Sequence, residues 1–254
     1  IEDGHITEVG SSSSRSAIEV DATGLVLAPG FVDVHTHDDG ALLQHPDMEF
    51  KISQGCTSVV VGNCGFSAIP AVVSKKTLDL SGVDANWTDL EGYRHDVEKL
   101  GPAVNAMMLV GHNTIRSLEM GNERRAPRDG ELERMREHIG LAMEQGACGF
   151  STGLIYRPGR WSDTEEVLEL AKAVAPFDGI YATHMRNEND HLLEAVDEAL
   201  DIGSKAGVAV QISHHKAAGK RNWGKVKESL AKVDAAIAEG ARVTLDVYPY
   251  TAGS

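Results

Sequence analysis

The stretch Phe31-Val32-Asp33-Val34-His35-Thr36-His37 is an apolar run that ends in two histidines. The residues Ala28-Pro29-Gly30 precede it and are typical of a turn that leads into a strand. Side chains two positions apart on a strand point to the same face, so we expect His35 and His37 to project together from the strand end. Two imidazoles that converge on one point form half of a metal site. The pair alone does not define a site, because most histidines in proteins are structural.

Short apolar runs recur along the chain at intervals of about 30 residues, the length of one βα unit. Amphipathic segments separate them, and Met135, Ile139 and Met143, for example, have helical spacing. Strands that alternate with helices predict a parallel sheet covered by helices, and seven strands predict an incomplete (β/α)8 TIM-type barrel of the α/β class. The seven predicted strands are Phe31–His35, Thr57–Val61, Asn105–Val110, Ala147–Ser151, Ile180–Thr183, Ala209–Ser213 and Arg242–Tyr248.

A doubly wound open sheet is the alternative architecture, because it has the same alternation of strands and helices. Such a sheet usually carries a glycine-rich phosphate loop after its first strand. In this chain Asp38 and Asp39 follow the two histidines, and their negative charges would repel a phosphate. The barrel is therefore the favoured fold.

Two segments interrupt the alternation. Residues 1–30 contain short β-like runs and are predicted to be part of a small β-subdomain, which leaves residues 31–254 for the barrel. Residues 66–90 are predicted to form a loop over one barrel face. The chain begins with Ile1 and ends after the seventh strand, so we expect a barrel truncated before strand 8. An open barrel has two unpaired sheet edges, and we expect this chain to fold poorly and to be inactive by itself.

Two helix starts are predicted from capping boxes, in which Ser or Thr is followed three residues later by Glu. The segments Thr88-Asp89-Leu90-Glu91 and Ser162-Asp163-Thr164-Glu165 have this pattern. We therefore expect Thr88 and Ser162 to cap the helices that follow them.

The composition narrows the class of protein. The formal net charge is -14, which disfavours binding to nucleic acid because a phosphate backbone needs a basic face. No apolar run reaches the roughly 18–20 residues that span a bilayer, so no membrane partner is expected. The spacing of the three cysteines matches neither a zinc ribbon nor a disulfide framework, and we expect a cytoplasmic protein. The sequence defines no oligomeric state.

Nitrogen and sulfur donors recur where the predicted strands end. In a barrel these ends form one rim, which is where the chemistry takes place. The second strand is followed by Cys64, the fifth by His184, and the sixth by His214 and His215. His214 has the same parity as Lys216, so we select His214 as the inward-facing ligand and expect His215 to face the helices. We interpret the remaining histidines as surface or packing residues: His5, His45, His95, His112, His138 and His191.

Cys64 between two glycines allows two interpretations. It is a candidate nucleophile if a histidine activates it. Surrounded by four histidines, it is better explained as a metal-bound thiolate.

The motif that runs from Pro29 to His37 resembles the strand-1 signature of the amidohydrolase superfamily. Many members of that superfamily carry a carbamylated lysine on strand 4, and the segment Ala147–Tyr156 has no lysine. The Gly-Asn-Cys-Gly motif around Cys64 instead resembles the N-acyl-D-amino-acid deacylase (D-aminoacylase) branch, in which a cysteine replaces that lysine. Further motifs similar to that branch follow in the same order, and the resemblance covers about residues 1–254: Gly153-Leu154-Ile155-Tyr156, Thr183-His184-Met185-Arg186 and Ile212-Ser213-His214-His215-Lys216.

The resemblance implies a site with two metal positions. A tight zinc ion would be held by Cys64, His184 and His214, and a second, weaker metal position would use His35 and His37. The catalytic aspartate of the family lies on strand 8, which is expected to lie outside this chain.

The resemblance also places Tyr156, Arg186 and Lys216 around the substrate. For Arg186 and Lys216 the alternative is a salt bridge to a rim carboxylate such as Asp38, Asp39 or Glu188, because a buried cation needs a partner.

The implied activity is zinc-dependent hydrolysis of a small-molecule substrate, the amide of an N-acyl-D-amino acid, by metal-activated water. Two alternatives stay open. One is an amidohydrolase that acts on cyclic amides, like dihydroorotase or hydantoinase, although the missing strand-4 lysine disfavours it. The other is a metal-binding paralogue that has lost catalysis.

Overall fold

The computed structural model describes residues 1–3, 5–10, 16–128 and 130–251. By their contacts the residues divide into two compact units, Ile1–Gly30 and Phe31–Ser254. In the described part of the first unit, the regular pairing is an antiparallel bridge between Glu2 and His5. The β-subdomain expected over residues 1–30 stays a prediction.

The second unit contains a parallel sheet whose strands lie side by side in chain order. Each strand follows the previous one through helical connections, as the periodicity predicts. The seven strands found in the described residues are β1 (Phe31–Asp33), β2 (Cys56–Val61), β3 (Asn105–Gly111), β4 (Gly149–Gly153), β5 (Ile180–His184), β6 (Ala209–Ile212) and β7 (Val243–Leu245).

The helices pack their apolar residues into one continuous core. In α6, for example, Met135, Ile139 and Met143 are buried, which confirms the predicted stripe. No helix in the described ranges is both long enough and apolar enough to cross a membrane. The helices are α1 (Ala41–Gln44), α2 (Glu49–Ile52), α3 (Ala71–Ser74), α4 (Leu90–Leu100), α5 (His112–Met120), α6 (Glu131–Glu144), α7 (Thr164–Lys172), α8 (Leu192–Ala206) and α9 (Lys225–Ala238).

The predicted capping residues are wrong by one position. The side chain of Asp89 accepts a hydrogen bond from the N–H of Gly92 at 3.0 Å, and Asp163 accepts one from Glu166 at 2.8 Å. Aspartate therefore caps α4 and α7 instead of Thr88 and Ser162. A carboxylate at this position also interacts favourably with the positive end of the helix dipole.

Several strand boundaries also differ from the predicted ones, most clearly those of β1, β4 and β7, and β7 covers Val243–Leu245 where Arg242–Tyr248 was predicted. β1 ends at Asp33, so His35 and His37 lie in the segment that leaves the strand. β4 covers Gly149–Gly153 and begins two residues later than predicted. The segment 66–90, predicted to be a loop over one barrel face, contains the short helix α3 and connects β2 to α4.

Candidate metal centre

The ends of the strands line a cavity of about 690 Å³. All five metal ligands predicted from the sequence border it, as do two of the three predicted substrate-binding residues. The polar side chains in its wall are Asp33, His35, His37, Cys56, Cys64, Tyr156, His184, Glu188, His214, Lys216, Asp246, Tyr248 and Tyr250.

A tight turn after β2 presents Cys64 to this cavity. Cys64 has φ of +53°, and Gly62 and Gly65 on either side of the Asn63-Cys64 pair have φ of +78° and +81°. The left-handed region costs little for glycine, and a Cβ on Gly62 would also lie 2.1 Å from the carbonyl oxygen of Leu109. The buried carboxylate of Asp39 accepts hydrogen bonds from the N–H groups of Gly62 and Ala68 at 3.1 and 3.0 Å. Asp39 therefore fixes both ends of the turn that carries Cys64.

The thiol of Cys64 faces two imidazoles. Its Sγ lies 3.3 Å from Nε2 of His35 and 3.6 Å from Nε2 of His214. Burial, reinforced by the charges of Asp246 and Glu188, raises the pKa of the thiol to about 12. Such a thiol is a poor nucleophile by itself, whereas a bound cation stabilises the thiolate. The environment therefore favours the metal-ligand interpretation of Cys64.

The same two imidazoles contact carboxylates through their other ring nitrogen. Nδ1 of His35 lies 3.3 Å from Oδ2 of Asp246, and Nδ1 of His214 lies 2.8 Å from Oε1 of Glu188. Burial opposes ionisation of both acids, but the hydrogen bonds to these histidines outweigh it and hold the pKa of Asp246 and of Glu188 below their ordinary values. A carboxylate next to one ring nitrogen is the usual support for a histidine that ligates a metal through the other.

His184 has unsatisfied polar atoms. Both ring nitrogens are buried, and neither has a hydrogen-bond partner among the described residues. Burial lowers the pKa of its imidazole to about 3, which keeps the ring neutral and its lone pair free. Its ring centroid lies 4.3 Å from that of His214 and 4.6 Å from that of Tyr156.

These residues fit a bound metal ion. Ligand atoms of His35, Cys64 and His214 lie within 4.8 Å of one another, and so do those of His184, Glu188 and His214. The two sets share His214, so one thiol and three imidazoles surround a single region. Sulfur and imidazole nitrogen are the donors that zinc prefers. His37 is more exposed, with its ring 5.6 Å from that of His35.

The predicted substrate-binding residues have two different locations. Tyr156 lines the cavity and is 41% exposed. Lys216 also lines it, and its Nζ lies 2.6 Å from Oε1 of Glu188. The salt bridge that was the alternative to substrate binding is therefore present at Lys216.

Arg186 does not border the cavity. Its guanidinium group donates two hydrogen bonds of 2.9 Å to Glu198 of α8 and one of 3.0 Å to the carbonyl oxygen of Ser162. Arg186 therefore forms a structural ion pair, but with Glu198 of α8 and not with one of the rim carboxylates named as the alternative. The guanidinium was expected at the rim, but this bidentate pair holds it against the helix layer.

The adjacent His215 faces the helices. Its Nε2 lies 2.9 Å from the hydroxyl oxygen of Ser229 on α9. His112, interpreted as a packing residue, is fully buried and contacts Glu166 instead of the cavity.

Sequence reasoning missed Glu188 as a partner of His214 and overlooked Asp246. Asp246 directly follows β7, which ends at Leu245, whereas the predicted strand ran to Tyr248 and placed Asp246 inside it. Glu188 lies in the loop after β5, four residues beyond His184, and no periodic pattern marks it.

Comparison with known proteins identifies the family. A sequence model described as the amidohydrolase family matches residues 19–253. The match covers most of the chain, and the chain therefore belongs to the amidohydrolase family.

Within that family the chain is similar to D-aminoacylases. D-aminoacylase from Alcaligenes xylosoxydans xylosoxydans is 42% identical over 254 residues, which cover 98% of this chain and 52% of that protein. A solved D-aminoacylase structure concerned with its binuclear metal centre has a TM-score of 0.84 at 42% identity, and the match covers 89% of this chain and 48% of that one. These findings confirm the predicted D-aminoacylase resemblance and the incomplete TIM-type α/β fold.

A third relative contains a metal and an inhibitor. The crystal structure of N-acyl-D-glutamate deacylase from Bordetella bronchiseptica holds zinc and a phosphonate that mimics the tetrahedral intermediate of its reaction. It matches with a TM-score of 0.81 at 39% identity, covering 87% of this chain and 48% of that one. The chain thus spans about half the length of the relatives that it matches.

Proposed function

We propose that the protein carrying this chain is a zinc-dependent amidohydrolase that cleaves N-acyl-D-amino acids into a D-amino acid and a carboxylate. The observation that carries the proposal is the convergence of one thiol and several imidazoles on a single cavity. The buried ring nitrogens of His184, which have no hydrogen-bond partner among the described residues, add to it. The activities after which the relatives are named support the substrate class.

The tighter zinc position in this proposal uses Cys64, His184 and His214, and the weaker position uses His35 and His37. Zinc, when bound, supplies a water molecule of lowered pKa and polarises the acyl carbonyl. The neutral state of His184 and the two Nε2 atoms that face Cys64 suit this role.

The chain's own residues then bind and orient the substrate. Lys216 brings a positive charge to the cavity wall. Its ion pair with Glu188 can be replaced by an ion pair with the carboxylate of the substrate. Tyr156 has an exposed side chain beside His184 and can donate a hydrogen bond from its hydroxyl group. Glu188 and Asp246 are both engaged with the histidines, and no general base is assigned among the described residues.

The test is to give the zinc-loaded intact protein racemic N-acetylmethionine and to separate the products by enantiomer. We expect D-methionine alone, and we expect the Cys64→Ser variant, purified in parallel, to release neither enantiomer at a comparable rate. Release of L-methionine would contradict the proposed stereochemistry. Release of neither enantiomer, with hydrolysis of a cyclic amide instead, would replace the proposal with the cyclic-amide alternative.

A further inference from the structure

Asp246 connects the ends of several strands through one carboxylate. Its Oδ1 accepts the backbone N–H of His214 at 2.6 Å. Its Oδ2 lies 3.3 Å from Nδ1 of His35 and accepts a hydrogen bond from Nε2 of Gln211 at 2.8 Å. The residues bound in this way come from the segment after β1 and from β6 with the residues that follow it, whereas Asp246 itself follows β7. Asp246 therefore joins parts of the chain that are distant in sequence.

The backbone of His214 needs such support. Its φ is +37°, a region that residues with a side chain rarely adopt. The hydrogen bond to Oδ1 of Asp246 satisfies the amide of this strained residue. The backbone of Asp246 is itself fixed, because its N–H donates to Ile212 at 3.1 Å and its carbonyl oxygen accepts from His215 at 2.8 Å.

The contact with His35 also determines which ring nitrogen carries the proton. A carboxylate accepts hydrogen bonds and donates none, so Nδ1 of His35 is the protonated nitrogen. Nε2 then presents its lone pair toward Sγ of Cys64, 3.3 Å away. Nε2 of His214 lies 3.6 Å from the same sulfur atom.

We infer that Asp246 is a positioning residue that holds His35 and His214 with Nε2 directed at Cys64, one through its ring and the other through its backbone. This inference rests on the proposed metal site. Glu188 provides a weaker version of the same support, because its Oε1 is shared between Nδ1 of His214 and Nζ of Lys216.

The test compares Asp246→Asn with the unaltered intact protein. The amide group of asparagine can donate to Nδ1 of His35, which favours the opposite tautomer and places an N–H against Cys64. Cobalt(II) is titrated alone. The thiolate-to-cobalt charge-transfer band reports binding at the tighter position with Cys64, and the d–d absorption of the second equivalent reports the weaker position with His35. We expect the affinity of the weaker position to fall roughly 10–100-fold, the usual effect of losing a carboxylate behind a ligating histidine.

The matched control is Glu198→Gln. Glu198 is also a partly buried carboxylate, but it pairs with Arg186 and contacts none of the histidines in the cavity. We expect this variant to bind cobalt as the unaltered protein does.

A second measurement does not depend on how the variant folds. Nitrogen-15 spectra of the unaltered, metal-free protein identify the tautomer of His35, and we expect the proton on Nδ1. A proton on Nε2 would overturn the inference, as would an Asp246→Asn variant that keeps full cobalt affinity at the weaker position. If the unaltered protein shows no charge-transfer band, the proposed metal site itself fails, which is a distinguishable result.

Discussion

The candidate metal centre and a second cluster, between α5 and α7, both bury histidine against a carboxylate. In the second cluster, Nε2 of His112 lies 2.8 Å from Oε1 of Glu166, and Nε of Arg116 lies 2.9 Å from the same oxygen. The remaining nitrogens of Arg116 donate to the carbonyl oxygens of Glu123 and Arg125. The charges of this cluster are therefore neutralised within the protein.

Unpartnered buried atoms do not by themselves distinguish the two clusters. Nδ1 of His112 and Oε2 of Glu166 have no hydrogen-bond partner within the described chain, and the same is true of both ring nitrogens of His184. The difference is that the ring of His112 packs against Phe150, whereas the ring of His184 faces a cavity together with a thiol and further imidazoles. Convergence of donor atoms on open space is what separates a metal centre from a structural ion cluster.

The largest effect is expected from Glu166→Gln, which removes the carboxylate of the structural cluster. Arg116 then stays buried without a counter-charge, and breaking such a pair costs about 3–5 kcal/mol. Denaturant unfolding measures the loss. Cobalt affinity should not change. A marked loss of metal binding in the folded variant would show that the structural cluster also supports the metal site, which would contradict the separation of the two clusters.

Cys64→Ser should have the reverse effects, because it should lower metal affinity and leave stability nearly unchanged. Serine is a poor substitute for a thiolate ligand. We expect metal affinity to fall by at least roughly 100-fold, because losing a ligand should cost more than losing an outer-shell partner, for which roughly 10–100-fold is usual. The free energy of unfolding of the metal-free protein should change little. Competition with a chelator measures the affinity, and an unchanged value would exclude Cys64 as a ligand.

Substitutions of Lys216 and Arg186 test which of these two cations contacts the substrate. Lys216→Met should raise KM roughly tenfold, because a charge-assisted hydrogen bond to the substrate contributes about 1.5–3 kcal/mol. Arg186→Lys keeps a cation beside Glu198 and should leave KM nearly unchanged. Equal effects of the two substitutions on KM would show that Arg186 reaches the substrate after all.

The smallest expected effect is the pH dependence of the stability that Glu166 contributes in the structural cluster. Burial opposes ionisation of Glu166, but His112 and Arg116 outweigh it and hold its pKa below the ordinary value of 4.5. Because the folded pKa is the lower one, the ionised carboxylate stabilises the fold fully above about pH 4.5 and loses this contribution as the pH falls through the folded pKa. The stability difference between the unaltered protein and Glu166→Gln should therefore narrow in acid, as denaturation curves at several pH values would show. A constant difference would mean that Glu166 does not titrate with folding.

The sequence predicted the sheet because each strand is a short apolar run, and it located His35, Cys64, His184 and His214 because they follow those runs. The predicted N-cap residues were wrong by one position, because Asp89 and Asp163 can cap a helix as well as their neighbours Thr88 and Ser162.

The partner of Arg186 was not predictable, because Glu198 on α8 meets it only after the helix has packed in the folded protein. The link between His35 and Asp246 joins residues 211 positions apart and depends on side-chain rotamers. No local pattern encodes such a contact.

Zinc K-edge X-ray absorption on the zinc-loaded intact protein measures the ligands of the metal. We expect one sulfur at about 2.3 Å and imidazole nitrogens at about 2.0–2.1 Å, because Cys64 shares its cavity with the histidines. The sulfur shell should disappear in Cys64→Ser. A spectrum of the unaltered protein that contains nitrogen and oxygen ligands alone would contradict the assignment of Cys64 to the metal centre.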